Sequence, residues 1–161
     1  MEKKTEVIVT PDKQELFIVR EFNASRDLVF KAYTDPKILV KWMGPKDMTM
    51  KIEKMECKTG GSYRYIYVAA DGYEACFHGV VHEVLNPQRI IQTFEFEGLP
   101  ESGHVIMETT RFEAVSPNLT RVTTQSVFQS VADRDGMVQS GMERGVVDSH
   151  ERLDVLLTNG I

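Results

Sequence analysis

The sequence predicts an α+β domain: a curved antiparallel sheet of about six or seven strands wrapped on a long C-terminal helix, with two short helices after the first strand. Three observations predict it. Over residues 131–157, Val138, Met142, Val146, His150, Leu153 and Leu157 recur at three- and four-residue spacing, which places them on one helix face. The roughly eighty residues before that stretch alternate in polarity with the period of a strand. Between the first strand and the rest lie two closely spaced helix-start signals.

Lys13–Phe22 alternates Leu16, Ile18 and Phe22 against Phe17 and Val19, as a strand does. Ser25 is the N-cap of a short helix over Arg26–Tyr33, which buries Val29, Phe30 and Tyr33. Asp35-Pro36 starts a second helix, with Pro at the position where its missing N–H costs nothing, and Gly44-Pro45 ends it. Strands follow over Met48–Cys57, Ser62–Val68, Tyr73–Leu85, Arg89–Glu97, His104–Val115 and Leu119–Phe128. Their breaks are Gly60-Gly61, Asp71-Gly72, Asn86-Pro87, Gly98-Leu99-Pro100 and Ser116-Pro117-Asn118. Short connections between consecutive strands imply an antiparallel meander. Such a sheet has one face to cover, and the helix over 131–157 covers it as a single rod. Gly141, Gly145 and Ser149 run beside its apolar stripe, one turn apart, and leave room for a close approach or a hollow.

The 161 residues are expected to form one domain, 1–161, with no linker or internal repeat. A net charge of -5 argues against nucleic-acid binding by bulk electrostatics. Every lysine lies at or before Lys58, so Lys37, Lys41, Lys46, Lys51, Lys54 and Lys58 form either a local basic face or an ordinary solvated surface. Cys57 and Cys76 have neither CxxC nor metal spacing and read as two reduced thiols. MEKKTEVIVT has no apolar core of a signal peptide, and no apolar run approaches membrane-spanning length. The expected setting is cytoplasmic, as a monomer or weak homodimer, without cofactor. His78, His82, His104 and His150 lack HExxH or other ligand spacing, so no metal site is expected. GxSxG, phosphate-loop and dinucleotide patterns are absent, and no catalytic residue is assigned.

An ordered set of segments resembles a known family. It runs through Arg20-Glu21-Phe22-Asn23-Ala24, Val29-Phe30-Lys31-Ala32-Tyr33-Thr34-Asp35-Pro36 and Trp42-Met43-Gly44-Pro45. It continues with Gly60-Gly61-Ser62-Tyr63-Arg64, Gly79-Val80-Val81-His82-Glu83-Val84 and Pro87-Gln88-Arg89-Ile90, then Gly141-Met142-Glu143 and Arg152-Leu153. From about Glu15 to Leu157 the chain is similar to the C-terminal domain of the heat-shock-protein-90 ATPase activator, within the START-like helix-grip superfamily. The resemblance implies a helix-grip fold with a hydrophobic cavity between sheet and C-terminal helix. It also implies a small hydrophobic or amphipathic ligand, or a co-chaperone-like partner in a stress response. A minority of the superfamily act as cyclases or hydrolases through the same cavity.

The candidate cavity lining combines three sets. Tyr63, Tyr65 and Tyr67 share one strand face and offer rings with orienting hydroxyls; the alternative is a stripe that only packs. Phe77, Phe94, Phe96 and Met107 are similar candidates, and Trp42 either caps a cavity mouth or anchors the helix pair. Met142, Gly145, Val146 and Ser149 supply the helix side. His150 reads as a ligand contact or a satisfied structural histidine. Arg64 and Glu83 are either inward and ligand-directed, in which case Arg64 favours an anion, or paired between strands.

Overall fold

The computed structural model describes residues 3–161; the first two positions of the N-terminal stretch lie outside the described residues. The expected alternation builds an eight-stranded antiparallel sheet: β1 Glu6–Val9, β2 Glu15–Phe22, β3 Met48–Met55, β4 Ser62–Ala69, β5 Glu74–Leu85, β6 Arg89–Phe96, β7 Ile106–Ser116 and β8 Leu119–Val127. The spatial order is β1-β2-β8-β7-β6-β5-β4-β3. The strand beyond the expected six or seven is β1, four residues that pair with β2 from Glu6↔Val19 to Val9↔Leu16. Register shifts at Ile52/Lys54 in β3, Val81/Glu83 in β5 and Ala114/Ser116 in β7 bend the sheet.

The helix starts follow the sequence signals. Ser25 Oγ accepts from the Leu28 N–H at 3.3 Å and opens α1, Arg26–Thr34. The Asp35 carboxylate accepts from the Lys37 N–H at 2.9 Å and opens α2, Pro36–Leu39, which is a single turn. Trp42, 1% exposed, donates from its indole N–H to the Ala32 carbonyl at 3.0 Å and meets Tyr33 edge-on. It ties α2 and the following turn to α1.

The expected single helix over 131–157 is instead two: α3, Val131–Gln139, and α4, Met142–Asn159. Gly141 breaks it with φ of 83°, a left-handed conformation that a side chain makes costly. A Gly141→Leu change therefore strains the backbone rather than filling space. The break also takes Val138 off the shared stripe, and it is exposed on α3. Ser130 Oγ caps α3 at the Asp133 N–H. Arg134, 2% exposed, docks α3 on the sheet by donating to the Thr10 and Glu15 carbonyls at 2.8 and 3.2 Å, with Asp135 as its counter-ion.

The second half of α4 is packed: Ser149, His150, Leu153 and Leu157 are buried. His150 Nδ1 lies 2.8 Å from Thr5 Oγ1, and its ring meets Phe22 edge-on. Burial, with the Arg20 cation adding to it, pushes its pKa down to about 3 and keeps it neutral. It is a satisfied structural histidine. The approach that the small residues allow is that of the chain between α2 and β3. Gly145 lies against Pro45, and Ser149 Oγ accepts from the Gly44 N–H at 2.8 Å while donating to the Gly145 carbonyl. Arg152 donates to the Lys41 carbonyl and Asp148 accepts from the Lys46 N–H. Ser149→Ala leaves the buried Gly44 N–H without its acceptor and should cost about 1–3 kcal/mol, measured as a lower denaturant midpoint at unchanged m-value.

Candidate functional site

Packing concentrates at two places. The larger cluster joins α1, α2, Trp42 and the buried end of α4 to the sheet through residues such as Phe22, Phe30, Phe112 and Leu153. A smaller one, Leu16, Ile18, Ile106 and Phe128, lies under Met137, Met142 and Val146. Between them the sheet floor carries short or polar side chains. The registers Gln92↔Glu108, Glu108↔Ser126 and Ser126↔Leu16 make one row across β6, β7, β8 and β2; Ile90↔Thr110, Thr110↔Thr124 and Thr124↔Ile18 make the next. Val146 packs on the smaller cluster at one end of these rows, no large side chain rises from their polar middle, and a cavity of about 1060 Å³ remains. That volume lies just above the usual range of small-molecule sites, about 300–1,000 Å³.

The expected lining is brought together with one exception. Trp42, Tyr63, Tyr65, Tyr67, Phe77, Phe94, Phe96, Met142, Gly145, Val146 and Ser149 all border the cavity. Met107 does not: it is 49% exposed on the outer face. Period two explains the reversal, because buried Ile106 and Phe112 share one face of β7 and put Glu108 and Thr110 inside with them, leaving Met107 outside. Arg64 is also outside, bound to both Glu97 oxygens at 2.9 Å and to Glu53 at 3.1 Å, so an anion-selecting role inside the cavity is removed. Glu83 pairs with Arg89 at 2.6 Å. Among the lysines, Lys46 pairs with Glu151 and Lys54 with Glu56, which neutralises part of the expected basic run.

One wall is aromatic. Phe77 stacks on Phe94 with ring centroids 5.0 Å apart and meets Tyr67 edge-on at 5.4 Å; Tyr63 and Tyr65 lie 4.7 Å apart. The Tyr63 hydroxyl crosses β5 and donates to the Thr93 carbonyl on β6. Gly79 makes this crossing possible, since a Cβ there would stand 2.0 Å from that carbonyl and 2.5 Å from the phenol oxygen. Burial pushes the Tyr63, Tyr65 and Tyr67 phenols well above their usual range, and the Glu108 charge adds to the shift in each. All three are neutral near pH 7, and the Tyr63 hydroxyl proton is engaged by the Thr93 carbonyl.

Glu108, absent from the sequence-based candidates, is the polar centre. It is half-buried on the inward face of β7 and borders the cavity. The Ser126 hydroxyl donates to its Oε2 at 3.2 Å, and the adjacent Thr110 and Thr124 hydroxyls bond each other at 3.1 Å. No cationic side chain pairs with it among the described residues. Loss of water raises its pKa to about 7, opposed weakly by the Ser126 hydrogen bond. The mouth lies where exposed Leu99, Glu101, Ser140 and Arg144 and half-buried Glu56 border the cavity. Arg144 is held there by Asp47 at 2.8 Å, and His104 by Asp133 at 3.0 Å. Among the described residues, no group of three or more His, Cys, Asp or Glu is placed to hold a metal ion, and no helix is long and apolar enough to cross a membrane.

A carboxyl whose folded pKa is raised gives the folded state an extra proton affinity. That stabilisation is full below the ordinary carboxylate range and is lost as pH rises through about 7. Glu108→Gln has no such proton to lose, while His150 is common to both proteins and cancels. The variant should therefore be the more stable protein by about 1–3 kcal/mol near pH 8, with the gap closing near pH 5, as read from denaturation at the two pH values.

Solved structures repeat this architecture. A crystal structure of a Rhodobacter sphaeroides protein superposes with a TM-score of 0.87 at 21% identity, covering 98% of this chain and 99% of that one. A solution structure of an Arthrobacter aurescens protein gives 0.86 at 26% identity over 96% and 92% of the two chains. A Mycobacterium smegmatis protein gives 0.84 at 22% over 96% and 98%. No curated protein matches the chain. Residues 23–158 match the profile of one family across both the cavity walls and the clamp on α4. The chain belongs to the family described as Activator of Hsp90 ATPase homolog 1-like protein.

Proposed function

We propose that this chain is a non-enzymatic binding protein that holds a small hydrophobic or amphipathic molecule in the cavity between the sheet and α3–α4. The observation that carries the reading is the cavity itself: about 1060 Å³ inside a domain of 161 residues, with an aromatic wall and a few convergent polar groups on its floor. Burying about 300 Å² of apolar ligand surface contributes roughly 7 kcal/mol before the entropy of association is subtracted, so the polar groups on the floor must add to it. Trp42, Tyr63, Tyr65, Tyr67, Phe77, Phe94 and Phe96 would supply that surface, with Met142, Gly145, Val146 and Ser149 above them.

The family's name favours a second reading, a co-chaperone-like domain that meets a chaperone ATPase through its surface. A chaperone pull-down that weakens with moderate salt supports it; no chaperone retained at low salt argues against it. A cyclase or hydrolase would need a reacting partner beside Glu108, and the floor offers only hydroxyls and the Gln92 amide there.

Native mass spectrometry of freshly purified protein should show a bound small molecule, and the protein should take up the neutral fluorophore phenylnaphthylamine. Val146→Trp places an indole in the hollow from a half-buried helix position. Its uptake should fall at least about tenfold while far-ultraviolet circular dichroism is unchanged. Equal uptake by the filled variant rejects the cavity as the binding place.

A further inference from the structure

Resting on the binding reading above, we propose that the cavity selects an amphipathic cation, a ligand with an apolar body and an ammonium group that pairs with Glu108. The carboxyl stands in the middle of the floor, and Ser126 is its one hydrogen-bond partner among the described residues. Every route to an internal counter-ion is closed. Arg144 is at the mouth and held by Asp47, buried Arg20 is engaged by Asp154 and Thr5, Arg152 by the Lys41 carbonyl, Arg64 and Arg89 lie outside on Glu97 and Glu83, and Arg134 is spent on α3. A carboxylate withdrawn from water without a cation is costly, and a ligand that brings the cation removes that cost. Around it the floor offers the acceptors that an ammonium's three donors require: Glu108 itself, the hydroxyls of Ser126, Thr110 and Thr124, and the Gln92 amide oxygen.

Two further features point the same way. Of the charged residues bordering the cavity, Asp47, Glu56, Glu101, Glu108 and Asp133 are acidic and Arg144 is basic. Asp47 is paired with Arg144, Glu56 with Lys54 and Asp133 with His104, so the acidic excess that favours a cation over a fatty-acid-like anion rests on Glu101 and Glu108. The aromatic wall borders the same cavity, with Phe94 diagonal to Glu108 across the β6–β7 pair, and ring faces favour a positive charge.

The titratable and charged groups that share the cavity with Glu108 are the phenols of Tyr63, Tyr65 and Tyr67 from β4, Tyr33 from α1, the Cys57 thiol and His150 from α4, with Asp47, Glu56, Glu101, His104, Asp133 and Arg144 toward the mouth. The phenols and His150 are neutral near pH 7, so none of these inner groups replaces the cation. An ammonium beside Glu108 favours its ionised form. Below about pH 7, binding thus releases the Glu108 proton to solvent while the ammonium keeps its own.

The test uses the intact protein and three probes of equal chain length, dodecylamine, dodecanol and dodecanoic acid, below micelle-forming concentrations. Each competes with phenylnaphthylamine near pH 6 and pH 8, in wild type and Glu108→Gln. Dodecylamine should bind wild type at least about tenfold more tightly than either other probe, and more tightly near pH 8 than near pH 6. Glu108→Gln should lose that preference and keep its dodecanol affinity. Calorimetry of wild type near pH 6, in buffers of different ionisation heat, should detect proton release with dodecylamine and none with dodecanol. Dodecanol or dodecanoic acid binding as tightly as the amine, or an amine preference that survives in Glu108→Gln, overturns the cation proposal while leaving the cavity a binding site. No displacement by any probe and no fluorophore uptake overturns both.

Discussion

The clamp between α4 and the chain at residues 41–46 is the constraint on which the rest depends. Ser149, Asp148 and Arg152 hold backbone groups of Gly44, Lys46 and Lys41, and Leu153 and Leu157 seat the same half of the helix in the core. A helix fixed along that half has no freedom to settle onto the floor with its other half. Met142 and Val146 are then carried over the sheet at a height set elsewhere, and only side chains on the floor decide whether the space is filled. Threonines, a serine, a glutamine and a glutamate do not fill it.

The floor also explains a tension within the molecule. An isoleucine or leucine at the place of Glu108 would extend the packing of Ile106 and Phe112 along β7. The chain carries instead a carboxyl that lacks a cationic partner among the described residues and that is destabilising once ionised. Groups of this kind, costly to the fold and bordering a hollow, concentrate at functional sites more often than elsewhere.

Much of this was legible in the sequence, for physical reasons that differ by element. The N-caps at Ser25 and Asp35 are local, since a side chain and the next backbone N–H groups decide them, and both hold. The three tyrosines of β4 share a face by the geometry of a single strand and line the cavity together. The break at Gly141 was hidden because the apolar spacing runs on through it, although a Ser-Gly pair in mid-helix is a signal against continuity. Glu108 was missed for want of parity. Met107 is the more apolar neighbour, but Ile106 and Phe112, six positions apart, already fix which face of β7 turns inward. Arg134 was invisible because its partners, the Thr10 and Glu15 carbonyls, lie far away in the chain.

The pairing order of the sheet has a consequence for how the protein is made. Strands β3 to β8 join neighbours that follow one another in the chain, so each finds its partner as it leaves the ribosome. β2 does not: Glu15 pairs with Val127 and Phe22 with Thr120, so this strand emerges early and waits for β8. Its apolar face is Leu16, Ile18 and Phe22, and until β8 arrives that face has no mate. The nascent chain therefore passes through a stage in which β2, paired with β1 on one edge, keeps its other edge and its apolar face open in front of a nearly finished meander. The hollow is enclosed only when synthesis has reached the helices that roof it.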